Sequence, residues 1–155
     1  LIQIPSFSLR EGAVAQYCKE YLHSQGYQVS YDDCGKILGA ENGNLIAILP
    51  GDPNLEAVLL SAHMDTVGGG LAPDQVSVQH GVWSGDGNTP LGADDKAGIA
   101  IILAAASRMA QDYPFRPTIQ VVFTIAEELG MRGVQCLSHK QLQLGWGLAL
   151  DLSLI

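Results

Sequence analysis

The stretch Ala57-Val58-Leu59-Leu60-Ser61-Ala62-His63-Met64-Asp65-Thr66 decides how this chain is read. Its first part is apolar on both alternating sets of positions, the pattern of a strand buried on both faces, as in the sheets of α/β proteins. The apolar run then stops at polar, metal-competent side chains. In extended chain, residues i and i+2 face the same side, so His63 and Asp65 point together and Met64 points away. Two later runs repeat the pattern. Thr118–Ile125 (TIQVVFTI) reads as a central strand and ends in Ala126-Glu127-Glu128-Leu129-Gly130. Gly147–Leu152 reads as a last strand and carries Ala149-Leu150-Asp151 at its end.

Around these runs the remaining elements fall into place. Tyr27–Tyr31 is a short strand, and Gly43–Leu49 (GNLIAIL) is a strand stopped by Pro50-Gly51. Gln75–Trp83 reads as a hairpin turning near His80-Gly81. Ser8-Leu9-Arg10-Glu11 has the S-x-x-E form of a capping box. It is followed by Val14, Tyr17, Cys18, Tyr21 and Leu22 on one helical face, with Gly26 closing the helix. Lys96–Gln111 is an Ala- and Ile-rich stretch expected to be a buried helix, and Gly133–Leu144 is expected to be another. Strands alternating with helices imply an α/β layer fold with a mixed, mostly parallel central sheet flanked by helices. Ligands in such sheets sit beyond the carboxyl ends of the strands.

Composition narrows the classes. A chain of 155 residues with 47% hydrophobic and 15% charged residues can bury a core as a single domain and is not a disordered segment. Its formal net charge of −8 argues against nucleic acid and anionic membrane as partners and suits a cation. The longest apolar run, Ile99–Ala106, is far too short to span a membrane. No basic-then-apolar signal segment opens the chain. Cys18, Cys34 and Cys136 have irregular spacing, which fits reduced thiols in the cytoplasm. The absent initiator Met and the apolar tail Leu152–Ile155 suggest a piece trimmed at both ends.

Each polar stretch has two readings when taken alone. His63 with Asp65 is either a satisfied core pair or a metal ligand with the carboxylate that fixes its tautomer. In Leu91-Gly92-Ala93-Asp94-Asp95-Lys96-Ala97-Gly98, the acids either cap the helix or offer a carboxylate that bridges two metals; Asp95 can cap while Asp94 ligates. Glu127 and Glu128 are either an exposed acidic loop or a ligand beside a proton carrier. To share a cleft they must lie where the strand breaks, and Gly130 permits a break. Asp151 is a ligand or a turn-former. Lys96 pairs with nearby carboxylates or covers surface, and Trp83 and Trp146 read as packing residues.

In chain order the set is His-x-Asp, Asp, Glu-Glu, Asp, and together it resembles the co-catalytic zinc peptidases of the M20 type, most nearly the peptidase T-like tripeptidases. The residues that carry the likeness are His63-Met64-Asp65-Thr66-Val67, Gly92-Ala93-Asp94-Asp95-Lys96-Ala97-Gly98, Ala126-Glu127-Glu128-Leu129-Gly130 and Leu150-Asp151. Leu1-Ile2-Gln3-Ile4-Pro5-Ser6 is similar to the segment that precedes the family's first helix. The resemblance implies a three-layer, zinc-exopeptidase-like sandwich holding two zinc ions, or Co or Mn on the same donors. It implies metal ligation by His63, Asp94, Glu128 and Asp151, with Asp94 bridging. Asp65 would orient His63, and Glu127 would be the general base acting on a metal-activated water. It also implies a cis Asp94–Asp95 bond and a short peptide substrate.

Members of that family carry a further ligating His downstream, beyond a lid or dimerisation domain. His23, His80 and His139 match no such motif and read as solvated or structural. The expectation is therefore residues 1–155 as the N-terminal portion of a catalytic domain, inactive by itself, with any homodimer of the parent made through the missing lid. The motifs leave open an aminoacylase or other amide hydrolase of the same fold, and a non-catalytic metal-binding module.

Overall fold

The two most apolar runs of the chain become neighbouring parallel strands. In the computed structural model, which describes residues 1–67, 76–112, 115–143 and 145–151, β3 (Ala57–His63) pairs with β6 (Ile119–Thr124) from Val58 opposite Ile119 to His63 opposite Thr124. On its other side β3 pairs in parallel with β7 (Gly145–Ala149), from Ala57 opposite Gly145 to Ser61 opposite Ala149. Beyond β6 lie β2 (Leu45–Leu49) and β1 (Gln28–Tyr31), each antiparallel to its inner neighbour. The five-stranded order is β1-β2-β6-β3-β7. Thus β1, β3, β6 and β7 run one way and β2 alone runs against them, giving the expected mixed, mostly parallel sheet. The carboxyl ends of β3, β6 and β7 share one edge, and every acidic motif follows one of them or lies close by in space.

Helices α1 (Gly12–Ser24) and α3 (Ala93–Asp112) close one face of this sheet. Val14, Ala15, Cys18 and Leu22 of α1 and Ile99, Ile102, Leu103 and Ala106 of α3 join Leu45, Ala47, Leu60, Val121 and Phe123 in one core. Each large side chain fully buried there is worth about 1.5–3 kcal/mol relative to exposure. Tyr27 is buried beneath them and gives its hydroxyl proton to the Ala106 carbonyl at 3.1 Å, as a buried phenol requires. Two short helices, α2 (Cys34–Leu38) and α4 (Arg132–Cys136), pack on each other beside the carboxyl end of β6. The hairpin of β4 (Ser77–Gln79) and β5 (Val82–Ser84) turns at His80 and Gly81, both at positive φ (51° and 80°), as expected for a two-residue turn. None of the described helices is long and apolar enough to cross a membrane.

Several local expectations change. The capping box does not form: Glu11 occupies the N-cap position of α1 with no side-chain capping bond, because Ser8 and Glu11 are engaged elsewhere. Helix α3 is buried on one face only, with Ile101 60% exposed. The helix expected over 133–144 shrinks to α4 and a 3-10 turn at His139–Gln141. Trp83 and Trp146 are exposed rather than packed: the hairpin stands off the main sheet, and β7 is its outermost described strand. The expected ends at Gln75, Leu144 and Leu152, and the tail 152–155, lie outside the described residues. All three cysteines are free thiols.

Candidate metal and active site

The site begins where β3 ends. Alternation sends Met64 into the core, fully buried, and leaves His63 and Asp65 on the opposite side. His63 is buried, and its Nδ1 lies 2.9 Å from the Asp65 carbonyl oxygen and 3.5 Å from the Asp65 carboxylate. A proton on Nδ1 is therefore satisfied locally and Nε2 is left for other partners. Burial alone would lower the His63 pKa. The Asp65 carboxylate, with Asp95 and Asp94, outweighs burial and lifts it to about 9. The Asp65 carboxylate is itself heavily occupied. It accepts the Ser8 hydroxyl at 2.6 Å, the Glu127 amide at 2.9 Å and the Glu128 amide at 3.1 Å. Burial opposes ionisation of Asp65, but His63, Ser8 and the two amides hold its pKa below the usual range.

The second contribution comes from the start of α3. Asp94 and Asp95 are joined by a cis peptide bond and have non-helical dihedrals, so the helix proper begins after them. Asp95 turns inward. One of its oxygens accepts the Gly98 amide at 3.1 Å, which is N-capping, and the other accepts the His63 amide at 3.3 Å. A Cβ at Gly98 would fall 2.3 Å from that carboxylate, so a side chain there would push Asp95 off its cap. Burial pushes the Asp95 pKa up to about 6. Asp94 points the other way and brings Oδ1 to 3.2 Å from His63 Nε2. Among the described residues Lys96 pairs with no carboxylate, and it does not cover the surface. It is buried, donates to the Ile4 carbonyl, and burial pulls its pKa down to about 8.

The third contribution follows β6. The break in the strand falls at Ala126, a non-glycine residue with φ of 50°, and not at Gly130. That left-handed residue reverses the alternation, so half-buried Glu127 and Glu128 both approach His63. The buried Asn44 side chain accepts the Ile125 amide at 3.0 Å and donates to the Gly133 carbonyl at 2.9 Å, tying down both ends of this loop. Burial raises the Glu128 pKa. His63 opposes that rise, while the charges of Asp94, Glu127 and Asp65 add to it.

Asp151, just past β7, completes the cluster with Oδ1 at 3.8 Å from His63 Nε2. One ligand atom each from His63, Asp94 and Asp151 lies within 4.8 Å of the others, and so does one each from His63, Glu127 and Glu128. An imidazole nitrogen with carboxylate oxygens, buried on the His63 side and open on the Asp151 side, is a donor set suited to a divalent ion with a free position. The crowding of carboxylates around one imidazole leaves negative charge that such an ion would neutralise.

A family model described as Peptidase family M28 matches residues 44–151. The chain belongs to that family. It is 35% identical over 153 residues to the protein YqjE of Bacillus subtilis, covering 97% of this chain and 40% of that protein. The solved structure of aminopeptidase PepT from Bacillus cereus superimposes with a TM-score of 0.90 at 31% identity, over 97% of this chain and 40% of that one. That of a tripeptidase from Staphylococcus aureus gives 0.90 at 30%, over 99% and 41%. The chain thus spans about two-fifths of the length of these relatives.

Within this M28 chain, sequence reasoning missed the residues that hold the site from behind. Glu11 is fully buried and accepts the Ala126 amide at 2.9 Å, and Asn44 fixes Ile125 and Gly133. Asp32 receives the Asn44 side chain at 2.7 Å. Ser8 and Glu11 matched a helix-capping pattern, which concealed their use. Asn44 had no signal beyond being a polar residue at the mouth of an apolar strand.

Proposed function

We propose that the whole protein is a zinc-dependent exopeptidase that hydrolyses short peptides, with free-amino tripeptides as the first substrates to try. Within this group of zinc peptidases, we take the M20-type, peptidase T-like arrangement as its pattern. The observation that carries the reading is the convergence of Glu127 and Glu128, on one gripped loop, with the His63–Asp94–Asp151 group. The likeness to PepT and to the tripeptidase supports it. The free thiols suit a cytoplasmic setting.

His63, Asp94 and Asp151 would hold one zinc, and Asp94 with Glu128 would contribute to a second. Zinc bound there would polarise the scissile carbonyl and acidify the attacking water. Glu127 takes the proton of that water as its oxygen bonds to the carbonyl carbon. It then returns the proton to the departing nitrogen as the C–N bond breaks, and the proton left on the new carboxyl group passes to the amine, giving a carboxylate and an ammonium. Asp65 keeps the His63 tautomer fixed through its carbonyl and holds the backbone of the Glu127–Glu128 loop through its carboxylate. Asp95 ties the end of β3 to α3 and stays out of the chemistry.

Turnover of a free-amino tripeptide and of an N-acylated amino acid by the whole protein, with and without chelator, tests the reading. Chelator-sensitive cleavage of the tripeptide is expected. Glu127→Gln should lower kcat by about 10²–10⁴-fold with zinc content unchanged. Near-normal turnover would remove Glu127 from its role, and preference for the acylated amino acid would replace the exopeptidase by an aminoacylase.

A further inference from the structure

The eight residues before α1 make contacts that no helix start requires. The Ile4 carbonyl accepts the Lys96 ammonium. The Ser6 carbonyl accepts the Thr66 amide at 2.9 Å and the Thr66 hydroxyl at 3.2 Å. Ser8 Oγ donates to Asp65 Oδ2 at 2.6 Å. Glu11 Oε1 accepts both the Leu9 amide and the Ala126 amide at 2.9 Å. One short stretch therefore touches three of the four segments that bear the site: the end of β3, the start of α3 and the turn after β6, but not the end of β7.

The effect converges on one place. Three successive amides, those of Ala126, Glu127 and Glu128, donate to side-chain carboxylates: the first to Glu11 and the other two to Asp65. Ser8 in turn holds the Asp65 carboxylate. The backbone of Glu127 is thus gripped from both sides, next to a non-glycine residue in the left-handed region. Glu11 is fully buried, and its second oxygen has no hydrogen-bond partner among the described residues. Burying a carboxyl group in this way is costly, and an ordinary helix start could avoid it with the capping box that the sequence already contains. Both side chains of that box are instead turned into the site.

We infer that Ile4–Glu11 is a clasp that positions the catalytic loop, with Ser8 and Glu11 as positioning residues that aim the Glu127 carboxylate. The inference rests on the proposed role of Glu127 as general base. A carboxylate displaced by an ångström from its proton-transfer geometry loses rate far more than binding, so the clasp should act on kcat.

The test is steady-state hydrolysis of a free-amino tripeptide by the zinc-loaded whole protein and its variants, with kcat expressed per mole of bound zinc. Glu11→Ala should lower kcat about 10–100-fold with KM within about twofold. Glu11→Gln keeps an oxygen for both amides and should restore kcat to within about threefold. Ser8→Ala, a milder change that keeps the test alive if Glu11→Ala does not fold, should lower kcat about fivefold. Glu41→Gln is the control. Its exposed side chain accepts the Gly12 amide at 3.2 Å and anchors the same helix without touching the site, so kcat should be unchanged. If Glu11→Ala and Ser8→Ala both keep kcat within about twofold per bound zinc, or if Glu11→Gln is as poor as Glu11→Ala, the clasp is overturned. Glu127→Gln separates the two ideas. Full turnover by that variant removes the functional reading and the clasp with it. An inactive Glu127→Gln beside fully active Glu11→Ala and Ser8→Ala removes the clasp alone.

Discussion

β6 and β7 are strands of one sheet, run the same way, and are both followed by acids that belong to the candidate site, yet they are built oppositely. All 6 residues of β6 are buried, and all 5 of β7 are exposed. β6 hands its acids to a loop held by Asn44, Glu11 and Asp65, so Glu127 and Glu128 are placed before any ion arrives. β7 hands over Asp151, whose side chain is 55% exposed, with the Leu150 amide bonded to the Ser61 carbonyl at 2.9 Å just before it. One half of the site is positioned by the core beneath it. On the other half, a bound cation has more of the positioning left to do.

The largest test of this contrast is on stability. Phe123→Ala in β6 should cost about 3–5 kcal/mol in urea unfolding, the price of a cavity in a closed core. A loss below about 1 kcal/mol would mean that this half is not closed as described. Next come the two acids that flank the site. Asp65→Asn keeps one oxygen but sets an amide N–H₂ against one of the two backbone amides that the carboxylate accepts on its separate oxygens. It should cost the metal-free protein about 1–3 kcal/mol and lower divalent-metal affinity about 10–100-fold. Asp151→Asn should also weaken divalent-metal binding, while changing metal-free stability by no more than about 0.5 kcal/mol. Equal losses of metal-free stability from the two variants would break the comparison.

A smaller effect sits inside the closed half. Burial in α1 pushes the Cys18 thiol from its usual value up to about 12. The unfolded chain releases this proton near pH 9 and the folded chain does not, so alkali favours the unfolded state. The stability tied to this thiol is intact below about pH 9 and is lost progressively as the pH rises towards 12, amounting to roughly 1 kcal/mol by pH 10. Cys18→Ala should flatten the fall between pH 9 and 10.5; an unchanged slope would place the thiol in contact with solvent. The smallest effect belongs to β7: Leu148→Ala in this chain should change stability by no more than about 0.5 kcal/mol. A large cost for the same change in the whole protein would show that further chain covers this margin.

The parts of the fold that were legible before any coordinates were those with an unambiguous period. The apolar runs became β2, β3 and β6, the i, i+3, i+4 face became α1, and His80-Gly81 became the hairpin turn. Strand alternation placed Met64 in the core and His63 beside Asp65. What stayed hidden needed partners distant in sequence. Ser8-Leu9-Arg10-Glu11 satisfies a local capping rule, and only the arrival of Asp65 and Ala126 diverts it. The strand break looked suited to Gly130, but it falls at Ala126, whose left-handed φ accompanies hydrogen bonds to its own and neighbouring amides from across the sheet. The exposure of Trp83 and Trp146 was equally unreadable, because an aromatic side chain carries no local sign of what packs over it.

The sequence by itself determined which segments bury their faces and which polar residues follow them, because side-chain period and apolar content are local properties of the chain. It placed His63, Asp65, Asp94, Glu127, Glu128 and Asp151 at strand and helix ends. Only the tertiary structure decided that these ends meet at one edge, that Asp94 faces His63 while Asp95 turns inward to cap α3, and that Ser8 and Glu11 brace the loop behind them. Those outcomes depend on parallel register and on hydrogen bonds between residues such as Glu11 and Ala126, 115 positions apart, which no local pattern encodes.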